Sequence, residues 1–302
     1  MSSQLIPLRY WALIVFLGAM WGCSFLFNAI LIRELGPIWV SAGRVTIGAL
    51  GCWAYFATTG RKLPRDPRLY GQLLLLGIIN YAIPFALFPL AEQDLASGIV
   101  GVINGMTPMT TVIVSQLWPG GEKATWNKSL GVVIGFIGAT ILASPSFGSG
   151  SGSNQVWAIG ACLLATLCYA VTLNYARRFK DIDSATVAAS SLTGAALVTV
   201  PVAFLFEGVP TIAHGETWAA LFAIGLLSST LAFLLLYWLL PRVGATNMSL
   251  NTFITPISAI LLGVIVLHER FELVHVIGIV MIFFGLVFID GRLVRRFVAA
   301  RV

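Results

Sequence analysis

Ten stretches of this chain are apolar over roughly the length needed to cross a hydrocarbon core of about 30 Å. They run over 11–32, 37–57, 70–91, 95–117, 129–145, 155–176, 184–206, 216–240, 245–267 and 272–290. A backbone in lipid must satisfy its own hydrogen bonds, so such runs form helices. A membrane barrel would need segments of about ten residues alternating in polarity, and these runs do not alternate. The fold expected is an all-α integral membrane protein with ten transmembrane helices. The fifth run is short, which a locally thinned bilayer accommodates. Composition agrees: 58% of residues are hydrophobic and only 10% charged, against about 25% charged in soluble domains. The first run carries no small-residue cleavage site and is expected to remain as a helix.

The basic residues set an orientation. With a cytoplasmic N-terminus, 15 Lys and Arg fall in inside segments and two, Arg33 and Arg270, outside. That asymmetry places both termini in the cytoplasm and suits an even number of spans. It also accounts for the net charge of +6 without nucleic acid, which is not expected as a partner. The expected location is a bacterial inner (plasma) membrane, crossed many times. Cys23, Cys52, Cys162 and Cys168 all sit inside apolar runs and form no CxxC pair. They read as packing residues, not as a metal or redox centre.

The segment Ser146 to Asn154, SFGSGSGSN, is a flexible linker after the fifth span. It separates two copies of one pattern at a shift of 147 or 148 residues. Leu76-Gly77-Ile78 matches Ile224-Gly225-Leu226, and Phe85 matches Phe233. Thr107-Pro108 matches Thr255-Pro256, Glu122 matches Glu269, Gly131 matches Gly278 and Gly138 matches Gly285. The organisation expected is a five-helix repeat over 1–145, a linker over 146–154, and a second repeat over 155–302. Five is odd, so the second copy enters the membrane upside down. Inverted repeats are a transporter architecture.

Pro108 and Pro256 lie mid-span and are candidate hinges. A proline cannot donate to the carbonyl four residues before it, which frees those of Asn104 and Thr252. With Thr107 and Thr255 they form either a substrate site at mid-membrane or plain kinks. Asn28, Asn80, Tyr81, Asn174, Ser228, Ser229 and Asn251 are the other mid-span polar groups. Asn80-Tyr81 matches Ser228-Ser229 in the repeat, which would put polar groups on both walls of one cavity. The alternative is hydrogen bonding between helices. Trp21, Phe85, Tyr169 and Tyr237 supply aromatic surface for an apolar solute or for packing.

Arg44 is the charge well inside a span, about 10 Å from its outer end at 1.5 Å per residue. It is expected to bind a carboxylate, to close an outer gate, or to cap helix-end carbonyls. No Asp or Glu is expected deep in a span. That pattern favours facilitated diffusion or exchange over proton coupling, with edge residues such as Glu92 the exception. Gly101/Gly105 and Gly131/Gly135 allow close helix packing, with a possible homodimer face at spans five and ten. The chain is otherwise expected to be a monomer. His268, Glu269 and His275 read as loop residues and not as a metal site. No HExxH, GxSxG or phosphate-binding loop occurs, so no catalytic residue and no cofactor are expected, and a membrane enzyme or channel is the disfavoured class.

These features resemble the drug/metabolite transporter superfamily in its ten-helix EamA-type form. The resemblance covers nearly the whole chain and rests on Trp21-Gly22, Gly36-Pro37 with Arg44, and Thr107-Pro108. It is clearest from Thr255-Pro256 through His268-Glu269-Arg270, then at Gly278 and Gly285. Two positions depart from it: Ser191 stands where the second copy would repeat Arg44, and Glu122 follows Gly120-Gly121. The resemblance implies an exporter or exchanger of small molecules working by alternating access. A single intramembrane cation disfavours doubly anionic solutes. The amide and aromatic residues suit a neutral or zwitterionic, partly apolar one, as in YddG-type exporters of aromatic amino acids. A broad drug or metabolite exporter is the alternative.

Overall fold

The computed structural model describes residues 7–60, 63–144 and 152–291; the side chains of residues 152, 153, 237, 241, 245 and 246 lie outside that description. The described residues form helices and no strand. Of the linker over 146–154, the residues up to 151 lie outside the description, while Gly152 to Asn154 already belong to the first turn of a helix. The linker is shorter than its composition suggests, because Gly and Ser at a helix start cost little once an apolar run follows.

The first half comprises α1 (Leu8–Leu31), α2 (Pro37–Thr58), α3 (Pro67–Gly77), α4 (Ile83–Ala91), α5 (Ser97–Asn104), α6 (Thr107–Leu117) and α7 (Trp126–Ala143). The second comprises α8 (Gly152–Tyr175), α9 (Ser184–Glu207), α10 (Gly215–Gly225), α11 (Ala232–Val243), α12 (Ala245–Met248), α13 (Asn251–Val266) and α14 (Leu273–Asp290). Each predicted run coincides with one or two of these. Among the described residues eight stretches are long and apolar enough to cross a membrane, and the chain is a multi-pass membrane protein. The other two runs fall short for visible reasons. In α2, Ser41, Arg44, Thr46 and three glycines dilute the apolar run. At the other, α13 has only 16 residues.

Helix starts follow local chemistry. Pro37 and Pro67 occupy first turns, where a missing N–H costs nothing. Asp66 caps Arg68 N at 2.9 Å, and Asp183 caps Thr186 N at 3.0 Å. Large side chains such as Leu205 and Phe206 are about four-fifths exposed on the outside. In water that surface would drive association; acyl chains cover it.

Two α-helical columns are interrupted at matched places. A π turn over Ile78–Ala82 joins α3 to α4, and another over Leu226–Leu231 joins α10 to α11. Their starts differ by 148 residues, the spacing of the sequence repeat. The helix pairings also exchange under that shift: α3 packs on α9 as α10 packs on α2, and α1 packs on α13 as α8 packs on α5 and α6. The pair α7 and α14 meets through glycines. A Cβ on Gly131 would lie 2.6 Å from Gly285 O, and one on Gly138 would lie 2.8 Å from Gly278 O. Those glycines are consumed in the contact between α7 and α14 inside the chain.

Candidate functional site

Arg44 is the centre of a buried cluster. Its side chain leaves α2 and is 6% exposed. Nε donates to Ser229 Oγ at 3.1 Å, and an Nη donates to Ser24 Oγ at 3.3 Å. The guanidinium carbon lies 3.7 Å from the centre of the Phe85 ring, a cation–π distance. The rings continue outward: Phe85 to Tyr81 at 5.5 Å, Tyr81 to Phe233 at 5.4 Å, and Phe233 to Trp21 at 6.3 Å. Both π turns contribute, Tyr81 from one and Ser229 from the other. A π turn holds an extra residue and often marks a functional position. Of the three roles expected for Arg44, capping of helix-end carbonyls is not the arrangement found. Its partners are two hydroxyls and a ring face.

The remaining predicted residues are spread over other contacts. Ser228 donates to Met20 O at 2.7 Å, and Thr255 to Gly18 O at 3.3 Å. Asn80 accepts from Thr172 at 2.7 Å, and Asn174 exchanges bonds with Ser115 at 3.1–3.2 Å. These four serve helix–helix bonding. Tyr169 packs on Phe88 at 6.1 Å. Asn251 is buried against Gly18, with its carbonyl oxygen unpartnered. Tyr237 lies on α11, but its side chain is outside the described residues. Thr107-Pro108 is a true break: α5 stops at Asn104 and α6 restarts at Thr107. The freed Asn104 carbonyl is not left for a solute, because Thr107 Oγ donates to it at 2.7 Å. Pro256 sits inside α13, and its ring faces Gly105 in the break between α5 and α6.

A separate cavity of about 830 Å³ opens at one end of the bundle. Thr107, Pro108 and Thr252 line it together with Ser115, Ser249 and Phe253, and Glu122, Lys123, Lys128 and Asp290 add charge to it. None of the other predicted site residues lines it. Glu122 pairs with Lys128 there, and the ammonium holds its carboxyl below the usual range.

At the opposite end, carboxylates that sequence reading left as loop charges tie loops to helix starts. Glu269 accepts from Ser97 N at 2.6 Å and Gly98 N at 3.1 Å, at the start of α5. Glu207 accepts from Ile38 N at 2.9 Å and Trp39 N at 2.8 Å, at the start of α2. Each satisfies two N–H groups that a helix start leaves open, and each favours the positive end of the helix dipole. His268 stands in the left-handed region at φ 56° and turns the chain so that Glu269 reaches back. His275 accepts from Glu272 N at 3.1 Å and caps α14. Arg33 pairs with Glu216 at 3.6 Å and Glu34 with His214 at the same end. The repeat marked Glu269, but its partners lie more than 170 positions away.

Glu92 differs from the expectation that acids stay at the edge. It follows the last turn of α4 and is 8% exposed. The hydropathic run ends beside it, yet α1 and α8 cover it.

Comparison with known proteins adds to this geometry. A model described as the EamA-like transporter family matches residues 9–144 and again 156–290. The chain is 23% identical to the uncharacterized transporter YoaV of Bacillus subtilis, over 90% of this chain and 94% of that one. It is 25% identical to Protein PecM of Dickeya dadantii, over 76% and 77%. It is 23% identical to the S-adenosylmethionine/S-adenosylhomocysteine transporter of Chlamydia trachomatis, over 85% and 82%. One crystal structure, 22% identical, aligns with a TM-score of 0.66 over 94% of this chain and 97% of that one, a likeness of fold.

Proposed function

Because this chain belongs to the EamA-like transporter family, we propose that it exports neutral or zwitterionic, partly apolar small molecules, aromatic amino acids first among them, by alternating access. The observation that carries the reading is the difference between its ends. One opens into a cavity of about 830 Å³, and the other is tied shut by Glu269 and Glu207. A carrier caught in one half of its cycle has this form. In this reading ten helices span a bacterial inner membrane as two inverted repeats with both termini cytoplasmic. The cavity then faces the cytoplasm.

The solute class follows from the Arg44 cluster. A guanidinium stacked on Phe85 offers a carboxylate a charged partner, while Tyr81, Phe233 and Trp21 offer aromatic surface. Thr107 and Thr252 meet the solute first, in the cavity, and rocking of the repeats about Pro108 and Pro256 carries it toward Arg44. The two solutes in the name of the Chlamydia relative share an α-amino acid end, which fits a site built around one cation. A broader drug or metabolite exporter is the second reading, favoured by the mixed charges of the cavity.

Counterflow in proteoliposomes containing only this protein tests the proposal. Vesicles are loaded with unlabelled amino acids, and entry of labelled phenylalanine, threonine and a neutral dye is followed without any ion gradient. Entry of the amino acids above empty vesicles is expected. Entry of the dye alone moves the assignment to the broader reading. No entry by folded protein overturns both.

A further inference from the structure

Glu92 is a buried acid without the partners an anion requires. Its Oε1 accepts from the Asn28 amide at 3.3 Å, and its Oε2 has no partner. Asn28 is 2% exposed, and its own carbonyl oxygen is also unpartnered. Two buried acceptors therefore stand on one amide–carboxyl pair with no donor between them. Leaving a buried polar atom unpaired costs about 1–3 kcal/mol, and two such atoms on one pair call for a common cause.

The surroundings do not supply a counter-charge by contact. The charged and titratable groups facing Glu92 are Arg44 from α2, Glu269 from the turn before α14, and Cys162 from α8. Arg44 spends its bonds on Ser229 and Ser24 and forms no ion pair with Glu92. Glu269 has the same sign. The negative end of the α4 dipole also falls here, since Glu92 N bonds to Phe88 O at 2.9 Å as the helix closes.

We propose that Glu92 and Asn28 form a proton-binding site, and that a proton taken up there couples the carrier to a pH gradient. The coupling half rests on the carrier reading above. A proton on Oε2 turns that atom from acceptor to donor. The amide already bonded to Oε1 carries an unfilled carbonyl oxygen, so acid and amide close a ring of two hydrogen bonds. One proton satisfies both orphan atoms. Glu269 connects this site to the closed end of the bundle. While it caps Ser97 and Gly98, its charge lies near Glu92. When that end opens, Glu269 withdraws, water enters, and the proton leaves to solvent.

Infrared difference spectroscopy on the full chain in liposomes tests the site without a solute. A carbonyl band of a protonated carboxyl is expected to grow as pH falls, to shift in D2O, and to vanish in Glu92→Gln. Asn28→Ala should move the same band to higher frequency, which keeps the test valid if Glu92→Gln fails to fold. No such band at any pH overturns the site, as does a band unchanged in both variants. A band that neither titrates nor exchanges with D2O marks a structural acid and overturns it too. For coupling, phenylalanine is followed under an imposed pH gradient. Gradient-driven accumulation is expected. Counterflow without any response to the gradient overturns coupling alone. Absence of counterflow strikes the carrier reading, and the infrared band still decides the site.

Discussion

At one end of the bundle Glu269 accepts from the backbone of Ser97 and Gly98; at the other Glu122, its counterpart 147 residues earlier, turns to Lys128 beside open space. The residue type is the same and its place in the repeat is the same. Only the surroundings differ. Glu269 meets two open N–H groups of a helix start, and Gly263 and Gly98 leave room for it: a Cβ on Gly263 would lie 2.2 Å from its Oε2. Glu122 has its side chain 69% exposed and meets a lysine in water. A sequence repeat thus specifies two equivalent carboxylates, and their surroundings decide that Glu269, not Glu122, closes a helix start.

The largest test of that contrast is Glu269→Ala. Two charge-assisted bonds to backbone N–H groups are lost, and the closed end weakens by about 2–3 kcal/mol. At about 1.4 kcal/mol per factor of ten, alkylation of Cys162 by a small maleimide rises roughly 30- to 100-fold. Cys162 is a fair reporter because it is fully buried, in one core cluster with Ile99 and Ala91 behind that end. An unchanged rate would mean that Glu269 caps a helix without holding the end shut.

A smaller effect is expected from pH, confined to the same end. The Thr217 hydroxyl first, and then His214, hold the Glu34 carboxyl down to about 2. The bond to Glu34 raises His214 above its ordinary value. A raised histidine contributes fully below its ordinary value of about 6.5 and is lost as pH climbs through the raised one. The depressed Glu34 keeps its share until pH falls toward about 2. The pair therefore holds from about pH 2 upward and lets go as pH rises through the raised histidine value. The ring ¹⁵N shifts of His214 should titrate above those of a free imidazole, and Glu34→Gln should restore the ordinary value.

The smallest effect belongs to the other end. Glu122→Ala removes an exposed ion pair and should change thermal stability by only a few tenths of a kcal/mol, with Cys162 alkylation unchanged. A loss as large as that of Glu269→Ala would erase the contrast.

Much of the fold was legible because apolar length and a repeat are local or periodic signals. The predicted run over 184–206 and the helix Ser184–Glu207 agree within a residue. The matched pairs Asn80-Tyr81 and Ser228-Ser229 do stand on matched π turns. The contacts were not legible. Pro108 correctly announced a freed carbonyl, but whether Thr107 would claim it depends on a rotamer. Glu92 sits where hydropathy ends, and hydropathy cannot say that Asn28, 64 positions away, will cover it. Arg44 stood out as a lone charge, whereas Ser24 and Ser229 became its partners only through packing.

The π turns carry a consequence for how related chains are to be aligned and edited. Each adds one residue to a helical column, and one residue is about 100° of rotation at 3.6 residues per turn. Deleting a single residue between positions 78 and 82 would leave the hydropathy profile almost unchanged and the column continuous. It would also swing everything from Ile83 to Ala91 by that angle, carrying Phe85 off the Arg44 guanidinium and Phe88 out of its edge-to-face contact with Phe25. A one-position gap here is thus a change of wall, and two chains that differ by it can share a fold while presenting different surfaces to whatever passes between the helices.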